Sequence, residues 1–385
     1  MLGYLMCLES FLYALSVTPI RFLVIFVRWF LSLFSSRFRL SRWQSYEFVR
    51  GLLVVSCLVV LRHVKSSFLY HLIRSQSFVK IYVIYNFLDT IDRLLTVFGR
   101  DIVEALYWLI IGKKVDEEKR YPLIVYVILE FAYFSKNAIQ TSIISFNSCC
   151  FFVHAYVFYI ALHSILLFTQ AMVLNVSVNS FSEGFVPLLI SHNFSELRSG
   201  LFRRFELEHM YQLCINDAFE RFQLLFYLGI ITIHNFSSIS WHILSQDRML
   251  KLTLKALLWC MGIELFVDNV KQCTINRFNN PHPNVYKNFR TMFRVNILSS
   301  FNSMPPYESS FGDVRVMNFL VIPHVCALLN VVYGCVVVPM DPQMRVRFLL
   351  ALYFGIFIAR IILQKFLVIH SRRKLKSVDN INEVI

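Results

Sequence analysis

Six ionisable side chains crowd one apolar run of this chain: Asp89, Asp92, Arg93, Arg100, Asp101 and Glu104. The four carboxylates carry oxygens that suit a hard cation such as calcium or magnesium. They could also act as general acids or bases if a histidine, cysteine or serine stood beside them. The spacing argues against both uses. Arg93 follows Asp89 by one helical turn and Glu104 follows Arg100 by another, so along a helix they form pairs of opposite charge. No nucleophile or base is placed beside the carboxylates by sequence. A charge-paired polar face is therefore the better reading. Asp92 stands apart, because Thr96 occupies the place where a basic partner would fall. If Asp92 is paired, its partner comes from elsewhere in the fold.

A second group, Glu264, Asp268 and Lys271, closes the apolar run Leu250–Val270. Ionisable groups at membrane depth are costly and are usually paired toward a bundle interior or a cavity. Two readings stay open: Asp268 and Lys271 pair within the helix, or the helix ends near Val267 and only Glu264 remains at depth. His63, His71, His154, His163 and His192 never stand at ligand spacing with a second metal-binding residue, and read as interfacial or core side chains. The nine cysteines form no CxxC pair. Cys57, Cys149, Cys150, Cys260, Cys326 and Cys335 lie inside apolar runs, where a thiol behaves as a small hydrophobe. Asn175, Asn193 and Asn235 fit the glycosylation acceptor pattern and are read as unoccupied. No cofactor, metal or enzymatic activity is called for.

The elements that must position these groups are membrane helices. Of 385 residues, 57% are hydrophobic and only 16% charged, where a soluble protein carries about 25%. The 38 phenylalanines and a mean hydropathy of +0.56 leave too much apolar side chain for a soluble fold to hide. The net charge of +14 sits in short segments beside apolar runs, the pattern of anchors at a membrane surface and not of a nucleic-acid face. A span needs roughly 20 apolar residues. Eight runs come near that: Leu5–Phe34, Phe48–Val64, Pro122–Phe134, Phe151–Val176, Phe222–Ile239, Leu250–Val270, Val314–Val338 and Phe348–Ile369. Six to eight spans are expected, the first retained and not cleaved. Val79–Ile111 reads as one amphipathic helix of about 50 Å. Its apolar stripe is Ile81, Ile84, Leu88, Ile91, Leu95, Phe98, Ile102 and Leu109, and its charged face suits the interface better than a lone crossing. Asn193–Leu213, with Arg203 and Arg204, reads as a shorter interfacial helix. Residues 371–385 read as a polar basic tail behind a single membrane-embedded domain, 1–370.

Several segments are similar to the transmembrane anterior posterior transformation family. Cys7-Leu8-Glu9-Ser10-Phe11-Leu12-Tyr13 and Pro19-Ile20-Arg21 resemble its first span. Tyr70-His71-Leu72-Ile73-Arg74-Ser75-Gln76-Ser77 resembles its Tyr-His-Leu-Ile-Arg-Gly-Gln-Ser, with Ser75 in place of glycine. The run from Lys80 through Asp89, Asp92, Arg93 and Gly99 to Trp108 follows at once, as in the family. Gln170–Val176, Asn193–Ser199, Phe202–Glu206, Asp217, Glu220, Arg221, Glu264, Asp268, Lys271 and Arg277-Phe278-Asn279 continue it. Asn269 and Gln272 depart from it, standing where an aromatic and a histidine are usual. Beyond about residue 290 the likeness is one of hydropathy, with Pro323 near its place, and the long polar tails common in the family are missing.

The resemblance implies a multi-pass protein of the endoplasmic-reticulum membrane, linked to folding or quality control of new proteins and, in ciliated organisms, to cilium formation, with a pool at the ciliary basal body. It brings no catalytic residues. The fold expected is an all-α polytopic bundle. The function expected is a non-enzymatic scaffold that meets the bilayer and protein partners, with a transporter or channel as the alternative. The residues proposed to hold the fold or dock a partner are Arg74, Asp89, Asp92, Arg93, Gly99, Asp101, Trp108, Arg203 and Arg204, with Glu264, Asp268 and Lys271 as the intramembrane polar set.

Overall fold

A computed structural model describes residues 2–32, 41–64, 66–111, 148–180, 207–238, 247–279, 283–302, 320–339 and 341–382, and every regular element among them is helical. The helices are α1 (Leu2–Ser32), α2 (Arg42–Leu61), α3 (Ser66–Arg74), α4 (Phe78–Ile111), α5 (Ser148–Ser180), α6 (Leu207–Ser238), α7 (Asp247–Asn279), α8 (Pro283–Asn302), α9 (Val321–Val332) and α10 (Pro342–Asn382). A π-helical turn, Tyr333–Val337, prolongs α9. The protein is thus an all-α polytopic membrane protein.

Among the described residues, four helices are long and apolar enough to cross a bilayer: Leu2–Leu31, Trp43–Leu61, Ala155–Ser177 and Gln343–Arg373. They answer to four of the eight runs read from sequence. Phe222–Ile239 and Leu250–Val270 fall mostly in α6 and α7, long helices that carry more charge. Val321–Val337 is a shorter apolar helix. Pro122–Phe134, Arg203 and Arg204 lie outside the described residues, as does Asn193–Leu213 except for its last part, which opens α6. The basic segment after residue 370 does not interrupt α10, which runs on to Asn382.

Local sequence sets the helix ends and tolerates the prolines. Ser41 begins α2 with a capping box: its hydroxyl accepts from the Gln44 amide (3.3 Å) while the Gln44 side chain accepts from the Ser41 amide (3.0 Å). Pro323 sits in the first turn of α9, where its missing N–H breaks no helical bond.

Helix α5 is the hub, packed against α2, α3, α4, α6 and α9. It is apolar on most of its surface, and Leu167, Ala171, Met172, Val173, Leu174 and Val176 have no exposed surface; such a helix belongs in a core. At the other extreme, no residue in the most apolar window of α10 is buried. Phe354, Ile358, Ile362 and Phe366 on it stand half-exposed or more. A stripe of that size meets lipid or a partner in a membrane protein.

Candidate functional site

Helices α4, α5 and α6 converge on a buried polar chain. Helix α5 contributes Tyr159, His163 and Gln170, which share one face of an otherwise apolar helix. Helix α6 contributes Gln223 and Tyr227, one turn apart, and α4 contributes Asp92. The order of bonds is continuous. The Tyr159 hydroxyl is 2.8 Å from His163 Nδ1, and His163 Nε2 is 2.7 Å from Asp92 Oδ1. Gln223 Nε2 donates to Asp92 Oδ2 (2.9 Å) and to the Tyr227 hydroxyl (2.6 Å), which donates to Gln170 Oε1 (2.5 Å). All six side chains are buried. The assignment that satisfies both ring nitrogens has Tyr159 donating to Nδ1 and a neutral imidazole donating from Nε2 to the carboxylate.

Gly99 shows how tightly α4 meets α5. A Cβ there would stand 1.9 Å from the Tyr159 hydroxyl, so any side chain would push that hydroxyl off His163. His324 of α9 flanks the chain, its ring 6.3 Å from that of His163 and packed against Phe219, Phe222 and Phe226.

One stretch toward the start of α6 builds a second, ionic region. Asp217 binds Lys271 of α7 (2.8 Å), and Lys271 lies 3.9 Å from Glu220. Glu220 lies 3.7 Å from Arg93, which holds Asp89 at 3.2 Å, while Arg221 binds Asp268 at 2.5 Å. Of the alternatives left open by sequence, the helix does not end at Val267: Glu264, Asp268 and Lys271 are all buried on α7. Asp268 and Lys271 are bound across to α6, because helix packing brings Arg221 and Asp217 opposite them. A third tie joins α10 to α1, where Arg360 binds Glu9 at 3.3 Å and covers the Tyr13 ring at 4.7 Å.

The sequence-proposed residues thus divide. Asp92 and Gly99 lie in the hydrogen-bonded chain, and Asp89, Arg93, Asp268 and Lys271 in the ionic region. Arg74 and Asp101 are exposed, Arg100 lies 4.0 Å from Asp101, and Trp108 falls in the last turns of α4. Two residues of α4, Asp92 and Phe98, depart from the division into an apolar stripe and an opposite charged face. Asp92 is buried on the inward side that also carries Ile81 and Tyr85, whereas Phe98 of the stripe faces outward with Val83, Phe87, Leu94 and Val97. His163, Gln170, Gln223, Tyr227 and Glu9 were not singled out as site residues, although the polar face on α5 was a usable signal.

Tyr–His–Asp order resembles a proton relay, yet the space beside it is small. The cavity lined by Tyr159, Tyr46, Arg50, Tyr156 and Pro323 measures about 20 Å³, room for about one water. Among the described residues no group of three or more His, Cys, Asp or Glu is arranged to hold a metal ion. Asn175 is buried within α5, closed to a glycan. Cys214, beside a larger cavity between α6 and α8, has its thiol pushed up to about 11 by burial, which leaves little thiolate for reaction.

Comparison with known proteins agrees in kind. Residues 40–376 match the model of a family described as a eukaryotic membrane protein family. A TAPT1 homolog of Dictyostelium discoideum is 34% identical over 323 residues, covering 83% of this chain and 37% of that protein. The transmembrane anterior posterior transformation protein 1 homolog of Xenopus laevis is 31% identical over 366 residues, covering 94% of this chain and 61% of its own. The human homolog is 30% identical, covering 94% and 58% respectively. The chain thus spans roughly two-fifths to three-fifths of the length of these relatives. No solved structure matches it.

Proposed function

Since the chain belongs to this eukaryotic membrane protein family, that of the transmembrane anterior posterior transformation proteins, we propose that it is a non-enzymatic scaffold of the endoplasmic-reticulum membrane. It serves the folding or quality control of newly made proteins and, where cilia are built, their formation. The observation that carries this reading is the closed polar chain Tyr159–His163–Asp92–Gln223–Tyr227–Gln170. Each member is hydrogen-bonded to another, and the adjoining cavity of about 20 Å³ takes about one water. Such a network rigidifies and specifies a core, which supports a scaffold over an enzyme or a transporter.

A rigid core has its use in what it presents. The apolar outer face of α4, with Val83, Phe87, Leu94, Val97 and Phe98, serves as the docking face for a partner's membrane helix. Arg93 and Asp89 at its edge give the contact polarity. On this reading α4 lies along the membrane surface or at its boundary, packed on α5.

A tagged full chain bearing a photo-crosslinking residue at Phe87 or Leu94 tests this in cells. The expected result is a reticular pool and discrete protein adducts from both positions, while Phe354 on α10 yields lipid adducts only. Localisation solely to the plasma membrane, or the absence of protein adducts at α4, overturns the proposal. Labelling of cysteines placed at Lys80 and Glu104 from opposite sides of the membrane would overturn the interfacial placement of α4.

A further inference from the structure

A cavity of about 440 Å³ opens between α6, α8 and the start of α1, within the size range of small-molecule sites. Its lining divides by chemistry. Arg221, Arg290 and Arg294 bring three guanidinium groups, and Phe289, Phe293, Ile215 and Leu2 form an apolar wall. The rings of Phe289 and Phe293 stack at 5.9 Å on one side of α8. Lys287, Arg290 and Arg294 follow one another at helical spacing, and α8 contains no acidic residue. Helix α8 is therefore basic along one face and aromatic along the other, the pattern of a helix seated at a membrane surface.

Two atoms at this cavity lack partners. Arg294 Nε is buried and donates to nothing, and Asp217 Oδ2 is buried and accepts nothing, although Lys271 holds its other oxygen. Burial and the neighbouring Arg290 pull the Arg294 guanidinium below its usual value. An anion between the two arginines would relieve both effects. Arg221 has already given its Nε to Asp268, so the unopposed charge of the cavity rests on Arg290 and Arg294. An unsatisfied buried donor and an unsatisfied buried acceptor in one pocket together call for a ligand that offers an acceptor and a donor. Phosphate supplies the first and a headgroup hydroxyl the second.

We infer that this cavity binds an anionic phospholipid whose headgroup carries hydroxyl groups, with phosphate on Arg290 and Arg294, a hydroxyl toward Asp217, and acyl chain along Phe289 and Phe293. The apolar wall selects a lipid over a soluble phosphate ester, because a hydrated solute gains nothing from covering the phenylalanines.

The test uses the full chain in nanodiscs, with native mass spectrometry and thermal unfolding as readouts. Phosphatidylinositol is the probe, and phosphatidylcholine, phosphatidic acid and soluble inositol phosphate are the comparisons. Phosphatidylinositol should be retained and should raise Tm, with phosphatidylcholine inert and phosphatidic acid weaker. Arg290→Gln/Arg294→Gln should weaken retention about thirtyfold, and the exposed Arg290→Gln alone about fivefold, from the usual contribution of each basic residue at an anionic surface. Neither should lower Tm in phosphatidylcholine discs. Equal retention of phosphatidylcholine, or unchanged retention in both variants, overturns the site. Equal retention of phosphatidic acid overturns the hydroxyl contact. Full stabilisation by soluble inositol phosphate overturns the lipid as its source.

Discussion

The two polar regions on α6 lie next to each other and are built on opposite rules. Around Gln223 and Tyr227 the partners are mostly neutral, all are buried, and every side chain is hydrogen-bonded to another. Around Asp217, Glu220 and Arg221 the partners are charged, and exposure runs from 2% for the Asp268 side chain to 50% for that of Arg93. Orphaned oxygens remain on Asp217 and Asp268. The first region behaves as a lock that fixes three helices in one register. The second keeps unspent charge beside a cavity. Proximity in sequence therefore says little about role; what decides it is whether the surrounding helices close over the groups.

Lys271→Met is expected to break the contrast hardest. It leaves Asp217 buried without its cation, at a cost of about 3–5 kcal/mol, whereas Asp217→Leu/Lys271→Met should recover most of that because no lone charge remains. Thermal unfolding in detergent, run as a double-mutant cycle, reads both. If the double variant is no better than the single, the ionic region is not organised around this pair. Asp92→Ala should cost about 2–4 kcal/mol, since it orphans the His163 and Gln223 donors at roughly 1–3 kcal/mol each. No change in Tm or in steady-state level would mean that the chain is not a structural lock.

Gly99→Ala should cost about 1–3 kcal/mol, the usual cost of forcing a methyl into a filled interior. Tyr159→Phe in the same background should return little of it, because the ring carbon Cζ stands as close to the added Cβ (2.0 Å) as the hydroxyl does. A tolerated Gly99→Ala with normal Tm would place Tyr159 away from α4. The smallest effect belongs to Arg93→Ala, within about 0.2–1 kcal/mol for a half-exposed ion pair. That loss should fade as salt is raised, whereas the losses at Asp92 and Gly99 should not. A salt-dependent Asp92→Ala would erase the distinction between the regions.

Composition and hydropathy were enough to establish a helical membrane protein, because bilayer thickness and the need to satisfy backbone groups leave few other solutions for a chain this apolar. The α4 boundaries were legible too: Val79–Ile111 by periodicity against Phe78–Ile111 in the fold. So was the isolation of Asp92 on its own helix, since Thr96 is read directly from the chain. Its partners were not legible. His163 lies 71 residues away and Gln223 131 away, and periodicity within a helix carries no information about which face of which other helix it will meet. The same holds for Asp268 and Lys271, which local spacing left either paired with each other or beyond the helix end, and which packing turned toward Arg221 and Asp217. One-dimensional order fixes what a helix offers on each face; only the packing of α5 among its neighbours decides which offers are taken up, because the free energy of burying a polar group depends on the atom it meets and not on the residues beside it in the chain.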